Sequence, residues 1–537
     1  MRTFYISTLG CKVNHYETEQ IALLLRSRGL IQVQQPDAAD LRLVNTCSVT
    51  IQAASKSRQA VRQLLRQPLW QLSSSSVPGT EHQSRRSTGQ RVIVAGCWAT
   101  SDPAEAAQMP GVSAVLGHRD NLAEQLDHLL TRWQNEDQKP PNKTPNTDTT
   151  ADSPPSPESL GNDGSMIEAG TLARPRTEPS KSQILRYVKE NPAQKQGVTE
   201  VLRSVTQVGA ATLPQLNSRQ DGHQRAFLKI QDGCDAHCTY CIIPSLRPVL
   251  WSRRVDEVVA EACRLVEAGH IELVLTGIFL GAYGQSTALR RRQQKPSGQP
   301  LSRLIEALCT QVSGLRRLRL SSLESGDLSD ALLATLRAYP QVVPHFHLPL
   351  QSGSDVLLRR MNRQYSRSDF LAMVDRLRKA FDRPALTTDI IVGFPGETDE
   401  EFQQTLEVVN HAGFIHIHAF PFSPRPGTAA ARWKGDFIHG PIVNGRMDTL
   451  RQRAVEHSLA FRRQFVGKTV ELMVERRNAE GRSDAQLLSL QHGRCERYFP
   501  VYFEFPQQVI GQCVKVRIDR VTAQRTFGTL VSAINSD

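Results

Sequence analysis

Short apolar runs alternate with helical faces along the first part of the chain. Residues 3–9, 41–45 and 91–95 read as strands, and between the first two lies a helix whose apolar face carries Ile21, Leu24 and Leu25. Asn14 followed three residues later by Glu17 predicts an N-terminal capping pair for that helix, and Gly29 predicts its end. Strand–helix–strand alternation implies a parallel α/β sheet, in which ligands gather at the carboxyl ends of the strands.

The alternation resumes near residue 224. Strands are predicted at 226–230, 273–275, 315–320, 345–350, 386–392 and 414–420, and a helix over 255–268 presents Val258, Val259, Ala262 and Leu265. Six strands with intervening helices fit a partial parallel β/α barrel, open on one side, with its site at the carboxyl ends of the strands. An arginine-rich helix over about 445–465 follows. Beyond it, 470–474, 498–503, 509–518 and 527–533 alternate as short strands with no helix between them, which predicts a small antiparallel β-barrel. Two stretches interrupt this order. Residues 72–90, with Ser73-Ser-Ser-Ser76, read as a flexible surface insertion, and 135–181, with eight prolines and no aromatic residue, cannot bury enough apolar surface to order itself. The expected division is therefore 1–134 (α/β), 135–222 (linker), 223–444 (barrel), 445–464 (connecting helix) and 465–537 (β-barrel).

Composition adds chemistry to this outline. Six of the ten cysteines form two triplets. Cys11, Cys47 and Cys97 each follow a strand within two residues, so the topology sends all three to one end of the sheet, where they hold a metal centre or pack as small apolar groups. Cys234, Cys238 and Cys241 follow the first barrel strand with C-x3-C-x2-C spacing. Three thiols leave the fourth corner of a cubic iron–sulfur cluster open, whereas a zinc site normally has four protein ligands and here needs His237 or a distant residue. Cys263 and Cys309 fall in helices and read as packing residues; Cys495 and Cys513 read as incidental. So few cysteines exclude a disulfide scaffold. With no apolar run of about 18 residues and no signal pattern, a cytoplasmic protein without membrane attachment is expected. The formal net charge of +12 favours an acidic partner, RNA ahead of a membrane. Near the C-terminus Arg494, Arg497, Lys515, Arg517 and Arg520 lie close to Tyr498, Tyr502 and Phe503, a mixture suited to phosphates and bases. At the barrel strand ends stand Gly277, Glu324, Ser325, Gln351, Ser352, Asp389 and Gly393, with Arg359, Arg360 and Arg363 on or after a following helix, where a solvated face is the competing reading. His416 and His418 share one face of the last strand, as a metal pair or as barrel-lining residues.

The words Lys229-Ile-Gln-Asp-Gly-Cys234, Cys241-Ile-Ile-Pro244, Gly10-Cys-Lys-Val-Asn14, Asn45-Thr-Cys-Ser-Val-Thr50, His347-Leu-Pro-Leu-Gln-Ser-Gly-Ser354 and Val392-Gly-Phe-Pro-Gly-Glu397 resemble the radical S-adenosylmethionine (SAM) methylthiotransferases. The resemblance covers 1–134 and 223–537. It implies two 4Fe–4S clusters, one at Cys234, Cys238 and Cys241 that binds and reductively cleaves SAM to a 5′-deoxyadenosyl radical, and an auxiliary one at Cys11, Cys47 and Cys97 that delivers sulfur. It also implies that several of Tyr240, Gly277, Glu324, Ser325, Gln351, Ser352, Asp389 and Gly393 bind SAM, that a flavodoxin or ferredoxin supplies electrons, and that the last segment is a TRAM-like RNA-binding module. Gly10-Cys-Lys-Val-Asn-His-Tyr-Glu-Thr-Glu19 and Leu275-Thr-Gly-Ile-Phe-Leu-Gly-Ala-Tyr-Gly284 look most like the branch that modifies C2 of N6-threonylcarbamoyladenosine at position 37 of tRNA. Isopentenyladenosine in tRNA, or an aspartate of a ribosomal protein, is the substrate of the sister branches. Pro244-Ser-Leu-Arg-Pro248 departs from the family, whose members continue there with Arg-Gly. A non-enzymatic zinc and RNA-binding protein is the alternative of another class, and it lacks an evident fourth ligand for either triplet.

Overall fold

The computed structural model describes residues 1–67, 91–118, 120–138, 213–217, 224–289, 299–476, 490–504 and 510–534. Met1–Leu126 and Gly209–Asp537 form one compact unit, and Asp127–Val208 a second. The first sheet is parallel throughout, in the order β2 (Ile31–Gln32), β1 (Thr3–Thr8), β3 (Leu41–Thr46), β4 (Arg91–Gly96), β5 (Ala114–Leu116). All six residues of β3 are buried, as expected of the central strand of a sheet covered on both faces.

The helix after β1, Lys12–Ser27, is not capped as its sequence suggests. Cys11 is its N-cap residue. Asn14 instead donates its amide hydrogens to the Leu9 and Thr46 carbonyls (2.8 and 2.9 Å), and Glu17 is buried in an ion-pair network with Lys229 and Arg247, so neither side chain turns back to the orphan N–H groups of the first turn. Thr50 does cap the next helix, Ile51–Arg66, accepting from the Ala53 N–H at 3.0 Å. The helix Leu122–Gln138 runs past the expected boundary at 134. The insertion at 72–90 and the proline-rich stretch beyond 138 lie outside the described residues.

Six barrel strands occur where expected. β6 (Ala226–Lys229), β9 (Glu272–Thr276) and β10 (Arg317–Leu320) form one parallel sheet, and β11 (His345–His347), β12 (Ala385–Val392) and β13 (His416–Pro421) another. Only isolated bridges, Leu318 to Val342 and Ser322 to His347, link the two between β10 and β11. The unexpected pair β7 (Gln231–Asp232) and β8 (Trp251–Ser252) frames the loop with Cys234, Cys238 and Cys241. Inside the barrel wall Leu228, Leu275, Leu320, Phe346, Leu386 and Phe414 pack into one core with Val258, Ala262 and Leu265 from the helix Val255–Glu267.

The helix Gly440–Arg463 starts one turn earlier than predicted, with proline in its first turn, a position that needs no backbone donor. It leads to a closed barrel in the order β14 (Thr469–Val474), β15 (Leu490–Cys495), β16 (Pro500–Glu504), β18 (Thr526–Ile534), β17 (Cys513–Val521). All its pairs are antiparallel except β16 with β18, which meet in parallel at Tyr502 and Phe527. Cys309, Cys495 and Cys513 are buried and Cys263 is half-buried, all within helices or strands.

Candidate active site

The turns after β1, β3 and β4 bring Cys11, Cys47 and Cys97 together. Gly10 makes this possible: its φ is +105°, and a Cβ there would lie 2.8 Å from that of Cys47. The backbone of Cys47 is clamped by Ser57, whose Oγ accepts from the Cys47 N–H at 3.0 Å and donates to its carbonyl at 2.8 Å. Cys97 opens the helix Cys97–Ser101. The Asn14 Oδ1 lies 4.0 Å from both the Cys11 and the Cys97 Sγ. Burial pushes the Cys97 thiol up to about 12 and raises that of Cys47, and neighbouring thiolates oppose ionisation further. His118 places Nε2 3.4 Å from the Cys97 Sγ and 3.0 Å from Arg247 Nη2. Burial, and then the Arg247 charge, lower its pKa to about 4, so the imidazole is neutral.

The barrel triplet is held by comparable means. Gly233 has φ +76°, and a Cβ there would lie 1.8 Å from the Val249 carbonyl oxygen, so only glycine lets the chain turn out of β7 into the loop. Asn362, itself at φ +59°, donates to the His237 carbonyl at 3.0 Å, and Thr239 donates through N–H and Oγ1 to the Met361 and Arg360 carbonyls (3.1 and 3.0 Å). Burial pushes Cys234 and Cys241 up to about 12, and the nearby Cys238 raises each further.

Arg363 is not on a solvated face. It is buried, pairs with Glu324 at 2.5 Å and aims Nη1 at the Cys238 Sγ (3.4 Å) and the Tyr240 hydroxyl (3.5 Å). Arg359 is exposed, whereas Arg360 pairs with Asp436 and lies over Trp433 at 4.8 Å. Tyr240 packs edge-on against Phe394, ring centroids 6.4 Å apart.

The other strand-end residues divide. Ser325 Oγ is buried without a hydrogen-bond partner, as is Ser321 Oγ, so both hydroxyls are open to a ligand. Gln351 holds φ +61° and bridges to Ile390 through its backbone. Asp389 lies 3.2 Å from His347 Nε2. Gly277 stands against Gln231, where a Cβ would be 2.9 Å from Oε1. Two more have partners within the protein. Ser352 is buried and turned toward Thr405 and the Ser354 N–H (3.5 and 3.2 Å), in the loop that caps the helix Asp355–Arg360. The Gly393 N–H is already engaged by Glu397 at 2.7 Å. His416 and His418 do share a face, with ring centroids 4.2 Å apart, and His347 is 5.9 Å from His418.

Between the triplets lies a buried ion network that sequence reading missed. Arg247 contacts Glu17 through both terminal nitrogens and Asp232 through one, each at 2.7 Å. Lys229 Nζ reaches the same two carboxylates at 2.7 and 2.6 Å. Burial alone would raise the pKa of Glu17 and Asp232; Arg247 and Lys229 overcome it and hold both carboxyls below their usual range. Arg247 lies in the segment that departs from the family pattern, and its partners sit 230 and 15 positions away, so no local pattern announces it.

On the terminal β-barrel, Arg494 and Arg497 have partners within the protein. Arg494 lies over Tyr498 at 4.7 Å and pairs with Glu475 at 3.3 Å. Arg497 donates to the Asp382 and Arg383 carbonyls (2.9 and 3.0 Å) and covers Phe465. Lys515 and Arg517 are exposed on β17. Elsewhere on the barrel a cavity of about 660 Å3 is lined by Tyr502, Phe527, Arg520 and Arg525. His492 stacks on Tyr502 (5.9 Å), Tyr502 lies 6.0 Å from Phe527, and Arg520 sits 4.5 Å over Phe527.

Among the described residues no three His, Cys, Asp or Glu side chains, the thiol triplets included, stand in a ready-made arrangement around a single metal ion. No described helix is long and apolar enough to cross a membrane.

Comparison with known proteins is consistent along the chain. Residues 228–409 match the radical SAM superfamily, 3–117 the uncharacterized protein family UPF0004, and 463–531 the TRAM domain. The chain is 30% identical to the threonylcarbamoyladenosine tRNA methylthiotransferase MtaB of Bacillus subtilis, over 100% of this chain and 98% of the relative. It is 30% identical to the MtaB of Thermotoga maritima over 88% of this chain and 87% of that one. The tRNA-2-methylthio-N(6)-dimethylallyladenosine synthase of a Parafrankia species is 32% identical over 90% of this chain and 80% of its own.

Proposed function

The chain belongs to the radical SAM methylthiotransferases, and from that we propose that it adds a methylthio group to C2 of N6-threonylcarbamoyladenosine at position 37 of tRNA. The observation that carries this reading is the junction of two three-thiol sites across the buried network of Arg247, Lys229, Glu17 and Asp232. Both donor sets fit 4Fe–4S clusters: three thiols each, loops fixed by hydrogen bonds, and, at Cys97, Cys234 and Cys241, sulfurs that burial keeps protonated until a metal takes the proton's place. Cys234, Cys238 and Cys241 would hold the cluster that binds SAM, and Cys11, Cys47 and Cys97 the auxiliary cluster. When bound, these groups supply the electron that cleaves SAM, the C–H activation that follows and the sulfur to be transferred.

The chain's own residues position that chemistry. Arg363 orients Cys238 and Glu324, and the Ser321 and Ser325 hydroxyls are free to accept a ligand's donors or donate to its acceptors. Tyr240 and Phe394 form an apolar wall that limits water beside the cluster loop. Asn14, in hydrogen-bond contact with two strand-end carbonyls, fixes the spacing of the auxiliary thiols. A small reductase such as flavodoxin or ferredoxin supplies the electrons, and the compartment is the cytoplasm.

Nucleoside mass analysis of threonylcarbamoylated tRNA incubated with reconstituted enzyme, SAM, sulfide and reductant tests the reading; 2-methylthio-threonylcarbamoyladenosine is the expected product. Product from dimethylallyl-modified tRNA alone would move the protein to the other branch, as would a modified ribosomal aspartate.

The tRNA is gripped in part by the aromatic cavity of the β-barrel. Replacing Arg520 by Glu together with Tyr502 by Ala is expected to weaken tRNA binding by about tenfold or more and to reduce the slope of log affinity against log salt by about one. Fluorescence anisotropy over a salt series checks this, and unchanged affinity would assign the grip to another surface.

A further inference from the structure

Most cations near the barrel lumen are already neutralised. Arg363 pairs with Glu324 at 2.5 Å, Arg247 and Lys229 with Glu17 and Asp232, Arg319 with Glu272 at 3.0 Å, and Arg225 with Glu475 at 3.0 Å. Lys12 differs from all of these. It makes no hydrogen bond or ion pair among the described residues and keeps contact with solvent, although the protein around it lowers its pKa. It nevertheless lies within electrostatic reach of Tyr498, Arg319, Arg225, Asp389 and His418, side chains contributed by separate barrel elements and by the turn before β16. The carboxylate among these, Asp389, is hydrogen-bonded to His347 at 3.2 Å. Lys12 also follows Cys11 directly, so its ammonium projects from the backbone that carries one of the auxiliary thiols.

We propose that Lys12 is a specificity-determining residue whose ammonium takes the carboxylate of the threonyl group on the target adenosine. This rests on the substrate reading above. C2 and C6 of adenine flank the same ring nitrogen and C6 carries the exocyclic nitrogen, so a nucleobase held with C2 toward the sulfur-delivering centre brings its N6 substituent to the neighbourhood of Cys11 and Lys12. A compact charge on a flexible four-carbon stem suits a carboxylate at the end of a rotatable chain. The same ammonium works against an apolar substituent, since a dimethylallyl chain would strip its water and return no partner. Lys12 thus favours one substrate and disfavours the other by one mechanism. The neighbouring Arg319 and Arg225 cannot substitute for it, because their guanidiniums are held by Glu272 and Glu475 and against the Tyr498 ring.

The test is equilibrium binding of anticodon stem-loops to the reconstituted full-length protein. Three ligands carry threonylcarbamoyladenosine, its methyl ester, and dimethylallyladenosine. Wild type should prefer the free acid to the ester, and Lys12→Gln should lose about tenfold to a hundredfold on the acid and little on the ester, the size of a charge-assisted hydrogen bond. Loss of the ammonium and loss of the carboxylate should be non-additive, and Lys12→Arg should recover part of the preference. Circular dichroism and iron content of Lys12→Gln should match wild type, since the side chain holds no structural partner. A Lys12→Gln protein that keeps the wild-type preference for the acid over the ester overturns the inference alone. A wild type that binds the dimethylallyl stem-loop as well as the threonylcarbamoyl one overturns the substrate reading and the inference with it.

Discussion

Cys238→Ala should abolish SAM cleavage, while Cys47→Ala should leave cleavage intact and stop methylthiolation. The two substitutions are the most informative because each removes one ligand and little else. Cys238 is half-exposed, takes a side-chain contact from Arg363 at 3.4 Å and packs on the small cluster of Ala236, Phe279 and Ala282 apart from the barrel core, so losing the thiol leaves that core untouched. Cys47 is buried, but the bonds that fix its turn run from its backbone to Ser57 and survive the change. Two thiolates are a poor hold for a cubane that normally has three or four. Iron and acid-labile sulfide should therefore be about eight per chain in the wild type and about four in each variant. Cleavage retained in Cys238→Ala would remove that triplet from the SAM site, and normal product from Cys47→Ala would remove the auxiliary triplet from the reaction.

Where each feature was legible in the sequence depends on the range of the interaction that made it. β3 and β4 are readable because strands covered on both faces carry buried apolar runs, and β1 from its Phe-Tyr-Ile run although only Phe4 of it is buried; β2 is two residues long, and β15 reads Leu-Gln-His-Gly-Arg-Cys, so neither leaves a pattern. The triplets are readable because thiol chemistry fixes their spacing or their place after a strand. The side chains that join the triplets are not. Glu17 looks like a capping residue and Arg247 like a loop cation until the fold places them 2.7 Å apart, and nothing within ten residues of either reports it. Arg363 was ambiguous for the same reason. Charge near aromatic residues reads as an RNA-binding surface at Arg494 and Arg497, and the same grouping also builds the contact between the two barrels: Tyr498, at φ +74°, lies among Arg225, Arg319 and Arg494 at 4.7 to 4.9 Å. Proximity in sequence cannot tell a group that faces solvent from one that faces a neighbouring domain.

Arg247→Met should lower stability by about 3–5 kcal/mol, the usual cost of leaving a buried charge without its partner. The variant keeps most of the side-chain volume, so the loss is electrostatic: Glu17 and Asp232 remain buried with Lys229 alone between them. The pH dependence gives the sign. In the wild type both carboxyls titrate below their unfolded values, so the stability they contribute is complete above the ordinary carboxylate range and is lost only as pH falls through the depressed native values. In the variant burial is no longer offset by two cations, and the folded values rise above the unfolded ones. The deficit should then be largest at neutral pH and should shrink as the pH is lowered toward about 5, where the buried carboxyls take up protons. Glu17→Gln in the same chain should restore part of the loss, and the double variant should be more stable than the sum of the single effects predicts. Because Glu17 sits on the helix that begins beside Cys11, and Asp232 two residues before Cys234, loosening this joint should also lower methylthiolated product more than it lowers SAM cleavage. Denaturation at two pH values and a product-to-cleavage ratio measure both arms. Wild-type stability at neutral pH together with an unchanged ratio would show that the network is packing alone and that the two thiol sites are aligned by other contacts.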